Sequence, residues 1–173
     1  MSDAGGLAGA PRRSVLEQCG SLPLRAFAPG ETILAEGTRS GVLYVLVSGI
    51  VEVVKGDVQI STTSEPGAFF GEISALLDVP HTATARAFEA CTFHVADDPL
   101  GFLRSTPEIA LELSRLLARR LHFLTGYLAD VKRQFEGSGN HLAIVDEVLE
   151  SLAHHQEAEA TPGSDRCVEP TME

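Results

Sequence analysis

Between Phe27 and Phe93 the chain alternates short apolar runs with turn residues, at Pro29-Gly30, Glu36-Gly37, Ser48-Gly49, Gly56-Asp57, Pro66-Gly67 and Pro80. Turn signals spaced by roughly 8–12 residues, with valine-rich alternation from Val42 to Val54, predict a β-sandwich or barrel. Strand-like sequence begins near Leu24, and VEVVKGDVQI reads as a hairpin turning at Lys55-Gly56-Asp57. Ahead of the strands, a short helix is predicted after Pro11, covering Val15, Leu16 and Cys19, behind a flexible leader of small residues at 1–10.

After Asp98-Pro99 the period changes. Pro107 to Phe135 contains no proline and one glycine, Gly126. Pro107 suits a first helical position, with Thr106 as N-cap and Glu108 at the positive end of the dipole. Leu117, Leu121, Leu124, Leu128, Val131 and Phe135 follow one another at alternating steps of 4 and 3. That is an a/d heptad seam, which predicts a parallel homodimer through a coiled coil rather than a helix lying on its own barrel. The register continues through Ser138 to Leu142, Val145, Leu149 and Leu152, but Gly137 and Gly139 flank Ser138. A break with fold-back and a coil passing a weak hinge both remain open. The expected plan is a leader at 1–10, a barrel with its N-terminal helix at 11–103, a C-terminal helix at 104–136, a short helix at 137–155 and a disordered acidic tail at 156–173.

The charge balance narrows the function. Thirteen basic residues against 24 acidic ones give −11 with histidine neutral. That disfavours sequence-independent nucleic-acid binding and attachment to an anionic membrane surface, both of which need clustered cations. No apolar window is long enough for a membrane span, and the N-terminus lacks the apolar core of a signal peptide, so a cytoplasmic location is expected. Cys19, Cys91 and Cys167 are three, far apart and without metal-ligand spacing, so neither a disulfide framework nor a zinc site is expected.

The chemistry concentrates between Gly67 and Ala85. A strand ends at Phe69-Phe70, Gly71 allows a tight turn, and a short helical turn opens at Glu72. The first amides of such a turn are free donors and make a small anion site. A carboxylate beside it suits hydroxyls of an anionic sugar phosphate. Local chemistry alone leaves this reading and a plain helix cap over a barrel equally open.

The stretch resembles the phosphate-binding cassette of the cyclic nucleotide-binding domain family, which includes bacterial catabolite activator proteins, protein kinase A regulatory subunits and cyclic-nucleotide-gated channels. It shares the Phe-Gly-Glu opening at Phe70-Gly71-Glu72, the paired leucines Leu76-Leu77, and Pro80-His81-Thr82-Ala83-Thr84 where the family has Pro-Arg-(Thr/Ser)-Ala-Thr. Phe27-Ala-Pro29-Gly30-Glu31-Thr-Ile33, Gly37, Leu43-Tyr44-Val45-Leu46 and Gly49-Ile-Val51-Glu-Val53 extend the similarity upstream, and it covers roughly Leu22 to Phe135. The resemblance implies a mainly β fold with flanking helices: a double-stranded β-helix (jelly-roll) barrel with a long C-terminal helix. It also implies a ligand, cyclic AMP or cyclic GMP, and no cofactor or metal. By the same resemblance Glu72 holds the ribose 2′-hydroxyl, Gly71 and the amides of Ile73, Ser74 and Ala75 face the cyclic phosphate, and Thr82 touches phosphate or base. The family's C-terminal helix closes over the base, and Arg120, Thr125 and Tyr127, which flank the seam, are candidate contacts to a base or to a partner barrel, or else part of a solvated charged face.

One departure matters. The family places an arginine where this chain has His81. Arginine is permanently charged and forks onto two oxygens, whereas imidazole is mostly neutral near pH 7 and offers one or two donors. A hydrogen bond to a charged group is worth about 1.5–3 kcal/mol, so losing the fork predicts binding weaker by on the order of 10- to 100-fold. Arg86 is the nearest other cation, and its parity along an extended strand points it to the opposite face. The reading is a non-catalytic sensor module that signals through a separate partner protein; the alternative is a degenerate domain kept as a dimerising scaffold without nucleotide. The short acidic segment after Phe135 is unsuited to a helix-turn-helix. A cupin-type metalloenzyme would need clustered histidines, and His81, His94, His122, His141, His154 and His155 form no such cluster.

Overall fold

The structure, a computed structural model, describes residues 13–134 together with positions 145 and 148. The expected leader at 1–10, the helix break at Gly137–Gly139, the short helix over Leu142–Leu152 (apart from positions 145 and 148) and the tail at 156–173 lie outside the described residues, as does Phe135. Chain contacts divide at Arg115/Leu116 into two compact units.

The first unit opens with α1 (Arg13–Gln18) and continues through β1 (Leu24–Phe27), β2 (Thr32–Leu34), β3 (Leu43–Ser48), β4 (Val51–Lys55), β5 (Val58–Thr63) and β6 (Phe69–Phe70). Then come α2 (Glu72–Leu77), β7 (Thr84–Ala87), β8 (Cys91–Ala96) and α3 (Pro99–Ser105). The strands form two antiparallel four-stranded sheets, ordered β1-β8-β3-β6 and β2-β7-β4-β5, so strands remote in sequence lie side by side as in a jelly roll. The predicted hairpin is present with Lys55 opposite Val58, which confines its turn to Gly56-Asp57.

The core follows from strand alternation. Tyr44 and Leu46 of β3, Phe93 and Val95 of β8, Val51 of β4 and Ala85 and Ala87 of β7 turn inward to one cluster. Phe93 is its centre: Phe27, Tyr44 and Phe70 meet its ring edge-to-face with centroids 5.6, 5.6 and 5.9 Å away. Such contacts add to the area buried by each ring. They also pin Phe70, the residue just before the Gly71 turn. Leu43 and Val45, of opposite parity, are fully buried as well, so both faces of β3 are covered. Cys19 and Cys91 are buried free thiols, and burial pushes Cys19 up to about 11, a thiol that stays protonated and inert.

Helix α3 was not anticipated. Asp98 caps it, accepting from Gly101 N at 3.0 Å, with Pro99 in its first turn. The expected barrel boundary at 103/104 therefore falls inside a helix. The long helix, α4, runs Pro107–Gln134. Thr106 stands at its N-cap through its carbonyl, which accepts from Ala110 N at 3.2 Å.

Candidate functional site

The site is built at the end of β6. β6 pairs with β3, Phe70 opposite Tyr44, which delivers the chain to Gly71 beside Val42. Gly71 has φ +84°, and a Cβ there would stand 2.6 Å from the Val42 carbonyl oxygen. Both facts exclude any side chain. α2 starts immediately, with Ala75 N donating to Gly71 O at 3.0 Å. Asp78 ends it in the left-handed region, φ 53°. The Ser74 hydroxyl donates to Val79 O at 2.6 Å and ties the helix to its own exit.

A strap formed by residues 36–41 then fixes the other side. Gly37 N donates to His81 O and His81 N donates to Thr38 O, each at 2.8 Å, an antiparallel bridge around the histidine backbone. Arg39 donates to the Asp78 carbonyl at 2.6 Å and to its carboxylate at 3.1 Å. His81 Nε2 lies 2.9 Å from Ser40 Oγ, and the Cε1 edge of its ring is 3.8 Å from where a Gly71 Cβ would be. Glu72 and His81 are each only 6% exposed. Burial holds the His81 imidazole below its ordinary pKa, so it is the neutral ring that faces the turn at neutral pH.

The structure thus brings Gly71, Glu72 and Ser74 into one turn, with the His81 ring edge beside Gly71. Ile73 is on the exposed side of α2, and Thr82 is exposed beside His81. One expectation is corrected. Ala75 was grouped with the amides facing a phosphate, but its N–H is consumed by Gly71 O as the first helical bond. The amides of Ile73 and Ser74 precede that bond and have no intrahelical acceptor. Arg86 is held by Glu52, its register partner across β4 and β7, with Nε to Oε1 at 2.7 Å. The parity argument does not reach His81, which lies before β7; the ion pair is what occupies Arg86. Ser40 and Arg39 escaped the sequence reading, since EGTRSG at 36–41 carries no motif and only the fold sets it beside Asp78–His81.

Arg120, Thr125 and Tyr127 belong to the second unit, from Leu116 onward. There Thr125 Oγ1 donates to Leu121 O at 2.9 Å, and Tyr127 is exposed. Of the seam, Leu121 and Leu124 are each 46% exposed, while Leu117, Leu128 and Val131 are half-buried. Among the described residues no cluster of His, Cys, Asp or Glu could hold a metal ion, and no helix is long and apolar enough to cross a membrane.

Comparison with known proteins agrees with this architecture. Residues 24–97 match the family described as cyclic nucleotide-binding domain. The CRP-like cAMP-activated global transcriptional regulator of Mycobacterium tuberculosis is 33% identical over 111 residues, 61% of this chain and 50% of the regulator. The cAMP-dependent protein kinase regulatory subunit of Yarrowia lipolytica is 34% identical over 85 residues, 49% of this chain and 22% of the subunit. The chain therefore spans half or less of the length of these relatives. The crystal structure of Thermus thermophilus catabolite activator protein superimposes with a TM-score of 0.58 at 25% identity, covering 86% of this chain and 85% of that one.

Proposed function

Because residues 24–97 of this chain belong to the cyclic nucleotide-binding domain family, we propose that it is a non-catalytic sensor that binds cyclic AMP or cyclic GMP at the Gly71–His81 turn and passes occupancy to a partner protein in the cytoplasm. The observation that carries the reading is that two nearly buried polar side chains stand at one glycine turn: Glu72 follows Gly71, and the His81 ring edge lies beside it. Glu72 is the acceptor for the ribose 2′-hydroxyl, the amides of Ile73 and Ser74 meet the phosphate with His81 beside them, and Thr82 stands at the rim.

Binding is weak on this reading. A neutral ring takes the place of a charged fork, at a cost of about 10- to 100-fold in affinity. Leu117, Leu121, Leu124, Leu128 and Val131 form the homodimer seam. A fluorescent cyclic nucleotide analogue tests the site: cyclic AMP or cyclic GMP displaces it at micromolar or higher concentration, and Glu72→Gln reduces its binding at least tenfold. An analogue that binds parent and Glu72→Gln alike, or neither, favours the second reading, a dimerising scaffold that binds no nucleotide. The partly exposed seam of α4 is the observation behind that alternative.

A further inference from the structure

His81 is more than nine-tenths buried, yet only one of its ring nitrogens is engaged. Nε2 lies 2.9 Å from Ser40 Oγ, and Nδ1 has no hydrogen-bond partner among the described residues. The Ser40 oxygen also accepts from Val42 N at 3.3 Å. That amide takes one of its two lone pairs, and the hydroxyl proton is free to turn to Nε2. A neutral imidazole carries one donor and one acceptor, so a ring that accepts at Nε2 holds its proton on Nδ1.

Ser40 is not placed casually. The two backbone bonds around His81 and the Arg39–Asp78 contacts hold the strap on either side of it. The ring edge between the two nitrogens is turned toward Gly71, where β6 enters the cassette. With Nε2 accepting from Ser40, a neutral histidine is an oriented N–H donor that need not take up a proton.

We propose that Ser40 is the positioning residue for His81: its hydroxyl holds Nε2, fixes the ring orientation and tautomer, and presents Nδ1–H to a phosphodiester oxygen of the bound ligand. This rests on the reading that a cyclic phosphate occupies the cassette. When the ring is protonated, the same hydroxyl turns and accepts from Nε2–H, so the ring keeps its orientation. Ser40 thereby supplies the fixed geometry that an arginine fork carries by its own planarity.

The test combines nitrogen NMR of the His81 imidazole, assigned by comparison with His81→Gln, with titration of cyclic AMP and cyclic GMP. At pH 8 the parent shows the Nδ1-protonated tautomer. Ser40→Ala moves the proton toward Nε2 and weakens nucleotide binding about tenfold, the loss of one oriented bond to a charged group. Ser40→Thr keeps both tautomer and affinity. A parent ring protonated at Nε2, or a Ser40→Ala chain unchanged in tautomer or in affinity, overturns the role of Ser40. A parent that binds neither nucleotide overturns the ligand reading itself, and with it any role of Ser40 in binding.

Discussion

Replacing Gly71 by alanine tests the mechanical basis of the cassette. At φ +84° an L side chain costs about 1–2 kcal/mol in left-handed backbone alone. The added Cβ meets the Val42 carbonyl oxygen at 2.6 Å, well inside contact distance, and that oxygen is backbone at the mouth of β3, which cannot swing aside. Relief requires the β6–α2 turn to move by several tenths of an ångström. Strain and displacement together cost about 2–4 kcal/mol, in the range of strained backbone at functional sites. At roughly 4 °C per kcal/mol for a domain of this size, Tm falls by about 8–16 °C. The shift also displaces Glu72, the next residue, so nucleotide affinity is lost with it. Urea denaturation of parent and Gly71→Ala decides the point. A variant within about 0.5 kcal/mol of the parent would show that the turn is not locked against Val42, and the account of the cassette would fail there.

Four further outcomes follow. Gly126→Ala, in helix α4 with nothing within 4 Å of the added Cβ, raises thermal stability by up to about 1 kcal/mol; a loss would mean the glycine serves a close contact. Leu121→Glu with Leu128→Glu places like charges at facing seam positions and yields monomers with an intact barrel by light scattering, whereas a surviving dimer locates the interface elsewhere. Phosphate raises the His81 pKa above that of the ligand-free state, which burial already holds below the ordinary value of about 6.5. Affinity therefore climbs as pH falls through the bound-state pKa and levels off only below the depressed free one. A profile flat from pH 8 to 5, by titration in matched buffers, would show that His81 does not face the phosphate. Folding stability of the ligand-free chain moves the other way: the unfolded ring takes up a proton first, so stability is lost as pH falls below about 6.5, and His81→Gln removes that slope.

The barrel was legible because its signals are local. Turn residues mark the strand ends, and valine alternation marks the faces, so the hairpin at Gly56-Asp57 and the strands around it could be read directly. Sheet order was not legible from periodicity: β8 pairs with both β1 and β3, and only the family resemblance supplied that topology. Helix α3 was passed over because it is seven residues long, too short for a periodic pattern, although Asp98-Pro99 is a proper start signal. In the site, Gly71, Glu72 and His81 were marked by motif and spacing. Ser40 was not, since its partner lies 41 residues away and no local pattern announces it. Ala75 was misassigned because counting residues from Glu72 does not tell where the first helical bond closes. The seam also leaves something out. Phe123, 77% exposed, stands about 160° round the helix from Leu121 at 100° per residue, so a strict two-stranded coil does not cover it.

The central claim is that a cyclic nucleotide binds this turn with a histidine in the place of the phosphate arginine. Calorimetric titration of cyclic AMP and cyclic GMP into the parent and into His81→Arg, at one pH and salt concentration, tests it most directly. The account predicts micromolar or weaker binding of at least one nucleotide to the parent, tightened about 10- to 100-fold by arginine. Parent and variant that are alike, or heatless with both nucleotides where displacement of a fluorescent analogue also fails, would contradict it and leave the scaffold reading in its place.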